Sequence, residues 1–249
     1  KKDILSVNNL WVKGDKGLYS VKNLSFTLKE GEILGVAGVS GNGQKELIEA
    51  IVGLRKYEKG EIKFLGKSLK SKTTKDISKL KISHIPEERL KFGSVPNFSL
   101  YDNVILKEYD EIPYCKKGII QIKKIKERTK ELVRLFNIST PSIDTPIKLL
   151  SGGNIQKLIC ARELSSNPIV IIAAHPTYGL DIAATVYIRS LLVQKRNEGA
   201  SILLVSEDLE EILSISDRVM VLFNGEISGF FKPDEVSLEK IGLMMTGVK

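Results

Sequence analysis

Apolar residues follow alternating or β-rich patterns from Ile4 to Val12 and from Val21 to Leu28, as a half-buried strand requires. Both segments are predicted as strands, and Gly31-Glu32 turns the chain into a third, the continuous apolar run Ile33 to Ala37. That run ends in a glycine-dense loop, Gly38-Val39-Ser40-Gly41-Asn42-Gly43. Beyond it Leu47, Ile48, Ile51 and Leu54 share one helical face, and Gly60 to Gly66 reads as a further short strand.

From about residue 70 to 150 the pattern changes. Lys67 to Lys81 is rich in Lys and Ser, and Gln121 to Phe136 reads as a charged amphipathic helix. Pro96, Pro113, Pro141 and Pro146 interrupt the rest, so this stretch reads as an inserted helical subdomain. A helix then opens at Ser151-Gly152-Gly153-Asn154, followed by a strand over Ile169–Ala173 and a helix around Ala183–Asn197. A strand over Ser201–Val205, a short helix near Leu209–Ile215 and a strand over Arg218–Phe223 complete the order. Strands alternating with helices imply an α/β domain with a mainly parallel core sheet.

Composition narrows the class. At 42% hydrophobic and 27% charged, the 249 residues hold too much apolar material for a disordered or collagen-like chain. No uninterrupted apolar run reaches the roughly 18 residues of a membrane-spanning helix. The two cysteines, Cys115 and Cys160, are far apart, which argues against a disulfide scaffold or zinc site and suits a reducing compartment. A first residue of Lys1 with no signal-peptide pattern reads as a segment of a longer polypeptide. The net charge of +8 invites a nucleic-acid or membrane-surface reading. However, the lysines are dispersed and outnumber the arginines, whereas sequence-specific nucleic-acid readers cluster Arg among aromatics. A solvated Lys-rich surface is the better account.

The loop Gly38 to Gly43 has the arrangement of a phosphate-binding P-loop: apolar strand, G-x-x-x-x-G, helix. Its glycines let backbone N–H groups close around phosphate oxygens, and the helix N-terminus adds partial positive charge. A tight strand-to-helix turn without a ligand would use the same glycines. A P-loop continues with Lys, to neutralise phosphate charge, and Ser or Thr, to ligate Mg²⁺. Here Gln44 and Lys45 stand at those positions and Glu46 follows. Gln44 donates a hydrogen bond but carries no charge, and Lys45 cannot ligate a cation.

The segment Leu149-Leu150-Ser151-Gly152-Gly153-Asn154-Ile155-Gln156-Lys157 is similar to the signature motif of ATP-binding-cassette (ABC) ATPases, with Asn154 where Gln is usual. Ile169 to Ile172 resembles the Walker B strand of that family, Pro176-Thr177 the residues after it and Gly179-Leu180-Asp181 its D-loop. Ser206-Glu207-Asp208 falls where the switch-histidine loop belongs, and the resemblance runs from about residue 4 to 230. The wording of Gly31 to Gly38, Leu150 to Asn154 and Ala173-Ala174-His175-Pro176-Thr177 resembles the second (C-terminal) cassette of nucleoside and simple-sugar (ribose, galactose) importers. Gly41-Asn42-Gly43-Gln44 leans toward the nucleoside branch.

The resemblance implies a P-loop NTPase of the ABC type. Its mainly parallel core sheet is joined by an N-terminal antiparallel β subdomain and an inserted α-helical subdomain. It places the core ATPase and β parts at about 1–85 and 155–249 and the helical signature subdomain at about 86–154, within one nucleotide-binding domain of a longer two-cassette polypeptide. Gly38, Val39, Ser40, Gly41, Asn42, Gly43, Gln44, Lys45 and Glu46 would line ATP or ADP. Leu150, Ser151, Gly152, Gly153 and Asn154 would act in trans on a partner cassette, with Asp181 in the D-loop and Glu87 at the Q-loop position. In the family the Walker B strand ends in Asp-Glu, which are Ala174 and His175 here, and Glu207 replaces the switch histidine. A carboxylate aimed at phosphate repels it, most strongly where the dielectric is low. Trp11 and Tyr19 are the candidates for adenine stacking, with core packing as their commoner use.

The substitutions fall on the metal and water machinery, so no catalytic or metal-binding residue is assigned and Mg²⁺ is expected at the partner cassette's site. Implied partners are a first, catalytically complete cassette, transmembrane permease subunits and, indirectly, a solute-binding protein, with no nucleic acid. Phe98 and Tyr101 are candidate contacts to the membrane subunits, or ordinary subdomain packing. The implied location is cytoplasmic, peripheral on the inner face of the cell membrane. A non-transport cassette ATPase acting on nucleic acid or ribosomes is the alternative.

Overall fold

The computed structural model describes residues 1–247. In the first part of the chain the elements are β1 (Asp3–Lys13), β2 (Tyr19–Lys29), β3 (Ile33–Ala37), α1 (Gln44–Ile51), β4 (Lys59–Phe64), β5 (Lys67–Ser68), α2 (Thr74–Lys79) and β6 (Ile82–Ile85). Then come α3 (Leu100–Val104), β7 (Cys115–Lys116), β8 (Ile119–Ile120), α4 (Ile122–Leu135) and α5 (Gly152–Leu164). The chain continues through β9 (Val170–Ala174), α6 (Ile182–Asn197), β10 (Ser201–Ser206), α7 (Leu209–Ile215), β11 (Arg218–Phe223), β12 (Glu226–Phe231) and α8 (Leu238–Met245). Among the described residues no helix is long and apolar enough to cross a membrane.

Two compact units result. The first takes Lys1–His84, Pro168–His175 and the chain from Arg189 onward. One of its sheets is antiparallel, with strand order β2-β1-β4-β5. The other has the order β12-β11-β3-β10-β9-β6; β11, β3, β10 and β9 run parallel, and β12 turns back antiparallel at one edge. Every residue of β3, β9 and β10 is buried. That explains their unbroken apolar runs, since strands of a parallel sheet are covered on both faces. One continuous core, including Leu5, Leu28, Leu34, Leu47, Ile62 and Leu203, fills the unit. Register decides what the sheet presents: Val205 lies beside both Val36 and Ala174. The chain segments that begin at Gly38, His175 and Glu207 therefore leave the sheet side by side at its carboxyl edge, the usual ligand edge of an open α/β sheet.

Several elements depart from the periodicity. The helix containing Leu47, Ile48 and Ile51 stops at Ile51, because Gly53 adopts φ +78°, and Leu54 lies outside it, 61% exposed. Within the Lys- and Ser-rich stretch, Thr73 and Asp76 form a reciprocal capping box that starts α2. Asn224 and Gly225, both with positive φ, turn β11 into β12.

The second unit takes Ile85–Asn167 and Pro176–Ile188. Here α3, α4 and α5 pack on one another around Leu100, Ile125, Leu132, Leu158 and Ile159. Ile125, Thr129 and Leu132 are the buried stripe of the charged helix expected from Gln121 to Phe136. Asn103, fully buried, organises the preceding loop: its amide nitrogen donates to the carbonyls of Val95, Ser99 and Phe98, and its oxygen accepts from the Val95 amide at 2.8 Å.

Candidate functional site

The glycine loop leaves β3 and enters α1 through Gly43, whose φ of +99° only glycine adopts readily. A Cβ on Gly43 would lie 2.3 Å from the Ser20 carbonyl oxygen. Gln44, the first residue of α1, is buried, and its amide nitrogen donates to the Val39 carbonyl at 3.0 Å. The Asn42 side chain donates to the same carbonyl at 2.9 Å, while its oxygen accepts from the Asn224 amide at 2.6 Å. The Gly225 amide donates to the Asn42 carbonyl at 3.1 Å. The β11–β12 turn thus buttresses the loop from the far end of the sequence. Sequence reading missed it, although Asn-Gly is a recognisable turn signal.

Lys45 points elsewhere. Its ammonium lies 3.6 Å from Asp15 and 3.9 Å from Glu49. Arg55 completes the cluster at 2.6 Å from both Glu49 and Asp15 and donates to the Lys13 carbonyl at 3.0 Å. The Arg55 guanidinium, through its hydrogen bond and its charge, lowers the pKa of the Asp15 carboxyl. These contacts tie the β1–β2 loop to α1. The two candidate aromatics flank that loop in edge-to-face contact, Trp11 and Tyr19, with centroids 5.1 Å apart. Lys59 stands over the Trp11 ring and Lys13 over Tyr19.

At the end of β9, Ala174 is buried and His175 has φ +44°, its amide donating to the Val205 carbonyl at 2.7 Å. Glu207 is exposed just past β10. Asp208 beside it caps α7, accepting from the amides of Glu210 and Glu211, and pairs with Arg189 at 2.7 Å.

The remaining positions belong to the second unit. Ser151 caps α5: its hydroxyl accepts from the Asn154 amide at 3.3 Å and from the Asn154 side chain at 2.9 Å. The Asn154 oxygen in turn accepts from the Ser139 amide at 2.8 Å. Asp181 accepts from the Ala184 amide at 2.9 Å, and its carboxylate comes within 3.8 Å of a Cβ built on Gly153. Two side chains outside the expected set link these pieces. Arg89 donates to the Tyr178 carbonyl and lies 3.5 Å from a Cβ built on Gly152; Gln156, buried, donates to the Pro176 carbonyl at 2.6 Å. Burial lowers the Arg89 pKa. Glu87 is exposed two residues before Arg89. Phe98 is half exposed, while Tyr101 lies beneath the Lys126 ammonium, which is paired with Asp144 at 2.5 Å.

A polyphosphate fits this loop. Ser40 and Gly41 are exposed, a Cβ at Gly41 would meet nothing within 4 Å, and α1 directs its N-terminus at the loop. A divalent cation does not fit the same positions. Lys45 is a cation engaged with two carboxylates, and Ala174 ends in a methyl group.

The model of the ABC transporter family matches residues 21–178. The chain is 40% identical over 245 residues to the guanosine import ATP-binding protein NupO of Bacillus subtilis, covering 98% of this chain and 48% of that protein. It is 38% identical over 244 residues to the nucleoside import ATP-binding protein NupA of Lactococcus lactis, with the same coverage. The ribose import ATP-binding protein RbsA of Oceanobacillus iheyensis is 36% identical over 246 residues, 99% of this chain and 48% of that protein. The chain therefore spans about half the length of these relatives. Among solved structures, a nucleotide-free ATP-binding cassette from an ABC transporter superposes with a TM-score of 0.78 at 21% identity, covering 98% of this chain and 96% of that one. A cassette in a dimeric post-hydrolysis state bound to ADP and Pi gives 0.76 at 23% identity, covering 92% and 99%. These two share the fold. With the family model matched over more than half its residues, the chain belongs to the ABC transporter family.

Proposed function

We propose that this chain is the second, catalytically weak ATP-binding cassette of a nucleoside or simple-sugar importer. In this reading residues 1–249 form one nucleotide-binding domain, with the signature-bearing helical part at about 86–154. The observation that carries it is the fate of the two side chains after the glycine loop. Gln44 is spent on its own loop carbonyl, and Lys45 on Asp15 and Glu49. ATP supplies a phosphoryl group whose hydrolysis releases the energy of transport. Residues Gly38 to Glu46 hold its phosphates through backbone amides and the α1 terminus, with Trp11 or Tyr19 stacking the base.

No water-activating or metal-anchoring group follows at Ala174, and Glu207 stands where a phosphate-facing histidine would be, so hydrolysis here is weak. Mg²⁺ belongs at the partner cassette's site. The chain's contribution to turnover is the α5 N-terminus, capped by Ser151 and flanked by Gly152 and Gly153, offered to the γ-phosphate held by a first, complete cassette. Asp181 and Arg89 hold the neighbouring loop against it. The relatives' import functions and the half-length match support a two-cassette polypeptide working on permease subunits at the cytoplasmic membrane face, with Glu87 in the Q-loop and Phe98 and Tyr101 as contacts.

The test pairs this chain with its first cassette and permease. Ser151→Ala is expected to lower ATPase activity roughly 100-fold, the scale of losing one transition-state donor. Gly41→Asp, in the chain's own loop, is expected to cost far less. Mg²⁺-dependent turnover by the isolated chain that vanishes in His175→Ala would overturn the reading.

A further inference from the structure

The small hairpin β7–β8 takes no part in the site above. Cys115 pairs with Ile120 and Lys116 with Ile119, joined by Lys117 and Gly118, both at positive φ as a two-residue hairpin turn requires. Its apolar side chains enter no core. Ile112 is 86% exposed, Ile119 67%, Ile120 50% and Ile122 54%. Ile119 shares a ribbon face with Lys116 and Ile120 the opposite face with Cys115, so the hairpin is an apolar finger on both sides.

Charge follows the same segment. Lys116, Lys117, Lys123 and Lys124 are exposed among these isoleucines, and no Asp or Glu occurs from Ile112 to Lys126. Lys124 pairs with Glu127 and Lys126 with Asp144, whereas Lys116, Lys117 and Lys123 have no carboxylate at ion-pair distance among the described residues. Asp110 and Glu111 end the cationic stretch on one side and Glu127 on the other.

Four exposed isoleucines call for an apolar phase, and the unpaired lysines beside them call for negative charge. An anionic bilayer surface supplies both within a few ångströms: acyl chains at the headgroup boundary for the isoleucines, lipid phosphates for the lysines. Nucleic acid supplies the phosphates but favours aromatic platforms, and the finger's exposed apolar groups are aliphatic. We propose that the β7–β8 hairpin and the start of α4 form a lipid-contacting surface, with Ile112, Ile119, Ile120 and Ile122 at the headgroup boundary of an anionic bilayer and Lys116, Lys117 and Lys123 on its phosphates. This surface requires no nucleotide, so it stands apart from the reading of the phosphate loop.

The experiment is co-sedimentation of the full chain, without nucleotide, with vesicles of phosphatidylcholine alone or mixed with phosphatidylglycerol. The chain is expected to partition onto the phosphatidylglycerol vesicles and to be released by salt. Ile119→Ser/Ile120→Ser and Lys116→Gln/Lys117→Gln should each lower that partition roughly tenfold or more. All four side chains are exposed, and unchanged circular dichroism and melting temperature would show that the variants are folded. Absence of binding, equal binding to phosphatidylcholine alone, or undiminished binding by both folded variants would overturn the proposal. So would a hairpin covered by a permease subunit in a chain that leaves vesicles in solution, since that assigns the finger to a protein.

Discussion

The side chain of Gln44 lies folded over its own loop, its amide nitrogen 3.0 Å from the carbonyl oxygen of Val39. Gly38 leaves the room, since a Cβ there would come within 2.4 Å of that nitrogen. A neutral amide in this place holds the loop's shape but adds no positive charge to it. Gln44→Lys is therefore expected to tighten ATP about tenfold, the gain of a charge-assisted over a neutral hydrogen bond. Calorimetric titration with and without Mg²⁺ measures this. The metal dependence should stay unchanged, because Ala174 still offers no ligand atom.

Gly43 and Gly225 both abut the carbonyl of Ser20, each with 2.3 Å to a built Cβ and each at positive φ. Gly43→Ala combines a steric clash with an unfavourable backbone and should destabilise the first unit by about 1–3 kcal/mol while weakening ATP binding. Gly41→Ala shares the positive φ but meets open space, so a smaller loss is expected. Thermal melts of the two variants, run together with ATP titrations, separate clash from strain.

Glu163 is a buried charge in the second unit. Burial opposes its ionisation, yet Lys107 at 2.6 Å and Arg162 at 2.9 Å outweigh burial and hold the pKa below the ordinary 4.5. A depressed carboxyl contributes stability above its unfolded pKa and loses it as pH falls through the folded value. The wild type should therefore weaken below about pH 4.5 from this group. Glu163→Ala strands the Arg162 guanidinium and is expected to cost roughly 3 kcal/mol at neutral pH, with a flatter stability profile in acid. Denaturant midpoints across pH check both statements.

The two thiols should differ in reactivity. Cys160 is wholly buried in α5, and burial, with the neighbouring Glu163 charge, pushes its pKa up to about 12. Cys115, in the hairpin, is partly exposed. Alkylation of the native chain followed by mass spectrometry should modify Cys115 and leave Cys160 intact until the protein unfolds. Rapid native labelling of Cys160 would show that α5 opens readily.

Sequence alone determined the order of the main strands and helices outside the inserted subdomain, the parallel core and the glycine loop, while β6, β12 and α8 went unpredicted. Each predicted feature is a local or periodic property: Ile33 to Ala37, Val170 to Ala174 and Ile202 to Val205 are buried throughout and so read as continuous apolar runs. Motif wording likewise marked Gln44, Lys45, Ala174 and His175 as departures, because residue identity is enough to show a missing charge or carboxylate. Tertiary structure alone decided where the displaced groups point. Lys45 turns to Asp15, thirty residues earlier, and Asn42 is held by Asn224, in the turn that follows the last strand the pattern predicted. Arg89 reaches the Tyr178 carbonyl and Gln156 that of Pro176, contacts that no spacing rule contains. Hydrophobic period reports which face of an element is buried, whereas a polar contact depends on the register and packing of segments far apart in the chain.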